Sequence, residues 1–144
     1  MRAVRPTPPQ TIGPFFRAGV AWLADRVPDD GVAVGGRVLD GAGEPVVDAV
    51  VELWQPGRFV RALTDGDGAY AASVVPPGPA DVSVFARGLL QRVVTRLYLP
   101  GEEDEVLSSV EADRRATLVA APDGDGLRFD IRLQGPGETV FFAW

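Results

Sequence analysis

Residues 127–133 read Leu-Arg-Phe-Asp-Ile-Arg-Leu, with apolar and charged side chains strictly taking turns. Successive side chains of an extended chain point to opposite faces, so this alternation describes a strand with one buried and one wet face, the habit of antiparallel sheets. Leu127, Phe129, Ile131 and Leu133 form the buried face; Arg128, Asp130 and Arg132 form the wet one. A surface ion pair between Asp130 and its arginine neighbours is the economical reading of the charged side.

Moving outward, short apolar runs recur between glycines and prolines. Val34–Leu39 is a strand, closed by the turn Asp40-Gly41-Ala42-Gly43. Val47–Trp54 follows, with Val47, Ala49, Val51 and Leu53 on one face. Arg58–Thr64 and Ala69–Val74 flank Asp65-Gly66-Asp67-Gly68, a hairpin connection by its chemistry. Pro76-Pro77-Gly78-Pro79 stops any ladder, and Asp81–Phe85 restarts one. Residues 89–99 have apolar spacing that suits a helix, but Val93, Val94, Thr95 and Tyr98 favour a strand, and a strand is expected. Glu103–Ser109 fits a turn or two of helix, Ala116–Ala120 a short strand, and Glu138–Trp144 the last strand. Residues 1–16 hold Pro6, Pro8, Pro9 and Pro14, which suits an extended arm ending on Phe15 and Phe16 as an anchor. The expectation is all-β: an antiparallel β-sandwich of about eight or nine short strands, with the arm at 1–16 and one sandwich domain over 17–144.

The 144-residue chain has 17 glycines and 13 prolines, and a net charge of −6. It has no cysteine, histidine or lysine. That excludes a disulfide scaffold, thiolate or Ser-His nucleophiles, Cys- or His-based metal sites, a Schiff base and a lysine-bearing phosphate loop. The negative balance disfavours nucleic acid as a partner. No apolar run is long enough to span a membrane, and the N-terminus lacks the apolar core of a secretory signal, so the cytoplasm is the expected location.

Charge is uneven. Residues 101–115 carry six acids against two arginines and read as solvated surface, whereas residues 87–96 carry Arg87, Arg92 and Arg96 and no acid. The arginine run is either a wet strand face or a site for an anion or partner. Asp65 and Asp67, and likewise Asp123 and Asp125, lack the further ligands of a calcium loop and read as turns. Tyr70 and Tyr98, and Trp22, Trp54 and Trp144, read as packing residues. From the residues alone the chain is a small sandwich without a catalytic constellation. The exposed arm and the C-terminal run Val140-Phe141-Phe142-Ala143-Trp144 add apolar surface that suits association.

Several stretches then read together: TPPQTIGPFF (7–16), GGRVLDGAGEPVVDAVVELWQ (35–55), TDGDGAY (64–70), SVFARGLLQRVVTRLYLPGEED (83–104), RRATLVA (114–120) and RFDIRLQGPGETVFF (128–142). In these the chain resembles the α subunits of protocatechuate 3,4-dioxygenases, intradiol ring-cleaving enzymes of aromatic catabolism. The resemblance implies a ferric iron held by two tyrosinates and two histidines, which cleaves 3,4-dihydroxybenzoate with O2 to a carboxymuconate. It implies that this Fe(III) belongs to the β subunit, that the α subunit walls the substrate pocket, and that the two form a hetero-oligomer in which the α chain alone is inactive. Where β relatives carry H-x-H, this chain has Pro79 and Asp81. The pocket-lining positions implied are Thr11, Gly13 and Pro14 of the arm, and Arg87.

Physical sense supports Gly13, Pro14 and Arg87. Gly13-Pro14 lets rigid backbone approach a planar ligand, and a guanidinium can fork onto a carboxylate. The alternatives are a structural turn at Gly13-Pro14 and an ion pair at Arg87. Two links, Trp54 to Arg58 and Val75 to Pro79, look short beside those of relatives. They motivate a rival reading, a non-catalytic β-sandwich interaction module that has lost the pocket.

Overall fold

The computed structural model describes residues 10–21 and 28–143, and within them it is a two-sheet β-sandwich. After a short helix α1 (Phe16–Val20), the strands are β1 (Val32–Leu39), β2 (Val50–Gln55), β3 (Arg58–Leu63), β4 (Ala69–Val74), β5 (Ala80–Phe85) and β6 (Val93–Leu97). Helix α2 (Glu105–Ser109) and a 3-10 turn (Arg115–Leu118) precede β7 (Ala121–Asp123), β8 (Gly126–Arg128) and β9 (Ile131–Arg132). One sheet runs β4-β1-β8-β7, with β9 also on β1; the other runs β3-β2-β5-β6. No helix among the described residues is long and apolar enough to cross a membrane.

The inward faces are those the alternation marks. Val34 and Val38, Val51 and Leu53, Val82 and Val84, and Phe129 and Ile131 are all buried in one core between the sheets. Each such side chain contributes about 1.5–3 kcal/mol by leaving water. A satellite cluster of Tyr98, Leu107 and Leu118 seats α2 and the 3-10 turn beside β6.

Five expectations need correction. The run 127–133 has the expected faces, but it is two strands, and both lie parallel to β1. Alternation fixes which side chains are buried; it does not fix a neighbour's direction. The break falls where the Phe129 carbonyl leaves the ladder to accept the Tyr70 hydroxyl at 2.6 Å, and where Asp130 Oδ1 accepts the Arg37 amide at 2.9 Å. Gly36 permits this crossing, because a Cβ there would stand 1.9 Å from the Phe129 carbonyl oxygen.

Asp65-Gly66-Asp67-Gly68 is a tight turn whose Asp65 Oδ1 accepts the Asp67 and Ala69 amides, but β3 and β4 belong to different sheets. The turn is a corner. Thr64 turns back onto Ala49, taking its amide on Oγ1 at 2.9 Å and giving its own amide to the Ala49 carbonyl. The true hairpin there is β2–β3, closed by Pro56-Gly57 with Gln55 opposite Arg58. Residues 116–120 form mostly the 3-10 turn, with Val119 alone bridging Tyr98. Thr117, Arg114 and Arg115 spend their side chains on nearby carbonyls, which competes with a ladder.

The described residues of 138–143 form no strand; Phe142 bridges Val94, and Thr95 Oγ1 donates to the Val140 carbonyl. At the other end Phe15 is 82% exposed, so it does not anchor the arm, while Phe16 is half-buried in α1. The prolines at 6, 8 and 9, Trp22 and Trp144 lie outside the described residues.

Candidate functional site

The turn after β5 is where the arm meets the sandwich. The Leu89 amide donates to the Ala86 carbonyl at 3.2 Å, with Gly88 at φ +91°, a conformation that favours glycine. Ile12 then clamps this turn from the arm: its amide donates to the Leu89 carbonyl at 2.7 Å and its carbonyl accepts the Gly88 amide at 3.0 Å. These two bonds hold the arm at Ile12, between Thr11 and Gly13, against the turn just after Arg87, so the four residues singled out in the sequence lie on the two segments that this clamp joins. All four are exposed.

The Arg87 guanidinium stands 3.5 Å from Asp48, with 64% of its side chain exposed. An exposed pair of this kind is worth no more than about 1 kcal/mol, so the guanidinium is available to a second anion. Asp48 and Arg17 are members of this surface that the sequence did not announce. Arg17 of α1 donates to the carbonyl of Val47, next to Asp48. Asp48 lies in one of the quoted stretches without a role of its own there, and Arg17 lies in none; only the folding of the 47–48 loop against α1 and Arg87 makes them neighbours.

The rest of the arginine run goes elsewhere. Arg96 on β6 lies opposite Asp81 on β5 and pairs with it at 2.8 Å, and its other nitrogen reaches Asp104 at 3.2 Å. Asp104 caps α2 by accepting the Leu107 amide and also accepts the Tyr98 hydroxyl at 2.8 Å. Burial pushes the Asp104 carboxyl up, but the Leu107 amide, the Tyr98 hydroxyl and the Arg96 charge together hold it below the usual carboxylate range. Burial, with the Asp104 charge, raises the Tyr98 hydroxyl in spite of Arg96. Burial raises Tyr70 far more, with help from Asp130.

These facts decide whether this chain fits a ferric centre of the kind the resemblance implies, and it does not. There is no histidine. Tyr70 is buried with its hydroxyl donating to Phe129, and Tyr98 keeps its proton for Asp104, so neither phenol is poised to ionise onto a metal. Asp81, at one of the two positions where the resemblance implies H-x-H in β relatives, is paired with Arg96. Among the described residues no group of three or more His, Cys, Asp or Glu side chains could hold a metal ion. In the first glycine-rich turn Asp65 accepts the amides of Asp67 and Ala69, and Asp123 and Asp125 belong to the tight β7–β8 hairpin.

Comparison with known proteins bears on the family and the fold. Residues 33–134 match the carboxypeptidase regulatory-like domain family. The chain is 34% identical to the protocatechuate 3,4-dioxygenase alpha chain of Burkholderia cepacia over 195 residues, covering 99% of each. That span exceeds the 144 residues present, so the relative carries segments absent here. The beta chain of the same organism is 28% identical over 75% of this chain and 66% of its own length. Among solved structures, the dioxygenase domain of a dioxygenase carbohydrate-binding protein fusion from Streptomyces sp. SirexAA-E superposes with a TM-score of 0.57 at 23% identity, covering 92% of this chain and 100% of that one. On the near full-length identity to an alpha chain, the protein belongs to the protocatechuate 3,4-dioxygenase alpha chain family of the intradiol dioxygenases.

Proposed function

We propose that this chain is the iron-free α partner in an intradiol dioxygenase that opens the ring of 3,4-dihydroxybenzoate with O2. The Fe(III) is held by a β-type chain, and the two assemble as a cytoplasmic hetero-oligomer. In this reading residues 1–16 act as an arm and 17–144 as one sandwich domain. Thr11, Gly13 and Pro14, with Arg87, form the wall that this chain contributes to the substrate pocket. One observation carries the proposal: a chain related over its whole length to an alpha chain has no histidine, and both of its tyrosines are engaged.

The iron, when bound by the partner, supplies activation of the catechol ring toward oxygen. This chain's residues act on the other end of the substrate. The Arg87 guanidinium, only loosely held by Asp48, meets the substrate carboxylate and sets its orientation. The exposed Gly13-Pro14 backbone lets the planar ring lie close without a side chain intervening. Both effects are positioning, and they lower the barrier by holding the ring in one attitude.

The test is to purify the chain alone and with a β-type chain, then measure iron and ring cleavage. Iron and turnover confined to the mixture are expected. Stoichiometric iron with turnover in the chain alone would overturn the reading.

A second reading is a β-sandwich interaction module without a pocket. It is favoured by the two-residue Pro56-Gly57 turn, which leaves β2–β3 no excursion with which to build a wall. Arg87→Ala in the mixed assembly separates the two. Raised KM or lowered kcat follows from the pocket role, and unchanged kinetics with intact assembly from the module.

A further inference from the structure

We propose that Asp48 is the positioning residue for Arg87: it holds one edge of the guanidinium so that the other edge is presented to the substrate carboxylate. The inference rests on the reading that Arg87 meets that carboxylate, and it names the group that sets the attitude of Arg87.

The contact is made at one end of the fork. Asp48 approaches Arg87 most closely through Nε, at 3.5 Å from Oδ2. Among the described residues the terminal nitrogens Nη1 and Nη2 have no hydrogen-bond partner. A guanidinium carries five N–H donors in one plane, and a carboxylate takes two of them side by side. With Asp48 at the Nε side, the end-on pair of Nη donors is left for a second carboxylate. An acid seated on that pair would compete with the substrate; an acid at Nε does not take the same donors.

Asp48 can act in this way because its backbone is fastened on both sides. The Val47 carbonyl accepts a hydrogen bond from Arg17 of α1. The Ala49 amide donates to Thr64 Oγ1 at 2.9 Å, and the Ala49 carbonyl accepts the Thr64 amide at 3.1 Å. Ala49 itself is wholly buried. The Asp48 side chain is 22% exposed, against 64% for that of Arg87, so the better enclosed partner steers the freer one. An arginine that samples all its rotamers loses that freedom when it binds an anion; one already held at Nε loses less, and the difference appears as tighter binding.

The same contact closes a ring. The arm meets the turn after β5 through Ile12, and the 47–48 turn through Arg17. Gly13 and Pro14 lie between these two fastenings in the chain. The Asp48–Arg87 pair joins the two places that the arm touches, so one turn, Val47-Asp48, is tied both to the arm and to the guanidinium.

Two measurements test the proposal. In the chain alone, the Arg87 Nε–H signal is followed by proton–nitrogen NMR and identified by its loss in Arg87→Lys. Asp48→Asn should move it, and an unmoved signal overturns the proposal irrespective of any activity. In the mixed assembly with a β-type chain, KM and kcat for 3,4-dihydroxybenzoate are measured for Asp48→Asn, Arg87→Ala and the double variant. Asp48→Asn should raise KM by about threefold to tenfold with kcat little changed. The double variant should be no worse than Arg87→Ala, because Asp48 acts only through Arg87. Asp48→Glu, which keeps the charge, should recover part of the loss. An Asp48→Asn effect that multiplies with that of Arg87→Ala marks a merely structural role and overturns the proposal. An unchanged KM in Asp48→Asn beside a raised one in Arg87→Ala also overturns it, and leaves the proposed function standing. Unchanged kinetics in Arg87→Ala remove the pocket role of Arg87, and the positioning role of Asp48 falls with it.

Discussion

Arg87 and Arg96 sit at opposite ends of the same β5–β6 hairpin, one in its turn and one near its open end, and are treated in opposite ways. Arg96 keeps 17% of its side chain exposed and is shared between Asp81 at 2.8 Å and Asp104 at 3.2 Å, with Tyr98 completing the group through Asp104. Arg87 keeps 64% exposed and has one partner, Asp48, at 3.5 Å. The first end turns its charges onto one another and closes; the second leaves a cation in reach of a ligand. A guanidinium held by several acceptors out of water is a structural tie, and the same group on the surface contributes little to folding and is available for binding. Under the proposed function, the open end is what this chain offers to a pocket whose iron another chain holds, and the closed end serves the fold; among the described residues no group of side chains could hold a metal ion.

The largest expected effect breaks the closed end. Arg96→Gln strands Asp81 and Asp104 without their cation and should lower unfolding stability by about 2–4 kcal/mol. Urea denaturation checks this, and a loss no larger than that at Arg87 would erase the contrast. Asp104→Ala removes the α2 cap and the Tyr98 acceptor and should cost about 1–2 kcal/mol.

The same carboxylate sharpens the comparison through pH. Its folded value lies below the ordinary 3.8, so it binds its proton less readily folded than unfolded. Its contribution is therefore fully present above the unfolded value and is lost as the pH falls through the folded one. The stability gap between the parent and Asp104→Asn should stay level from neutral pH to about pH 5 and shrink below about pH 4. A gap that instead widens on acidification contradicts the arrangement.

The open end should respond in function more than in stability. Ile12→Pro deletes the arm amide that donates to Leu89 and should cost less than about 1 kcal/mol while depressing turnover of the mixed assembly. Arg87→Ala is the smallest in stability, within about 0.5 kcal/mol, with its effect confined to KM or kcat. Thermal unfolding of each variant beside its steady-state kinetics tests both. A marked loss of stability at Arg87 would move it into the structural class with Arg96.

Much of the sandwich was legible because burial has a period. Val34 and Val38, Val51 and Leu53, and Phe129 and Ile131 could be assigned to the core from alternation alone. Strand direction was not legible, because β8 and β9 bury the same residues whether they run with β1 or against it. The Asp65 turn was recognisable from its residues, yet whether it joined two strands of one sheet or two sheets depended on Thr64 finding Ala49. At the site, the arm residues and Arg87 could be named only through resemblance; nothing in their types or spacing says that Ile12 will grip Gly88 and Leu89.

By itself, then, the sequence determined that this chain is β-rich, carries no imidazole or thiolate ligand, and concentrates its unopposed positive charge in residues 87–96. Tertiary structure alone decided what each arginine of that run does: one pairs loosely with Asp48, one is enclosed by Asp81 and Asp104, and Arg92 stays open beside Trp54. The physical reason is that composition and alternation act over a few residues along the chain, whereas a charge's role depends on which distant groups folding brings within a few ångströms and on how much water remains between them.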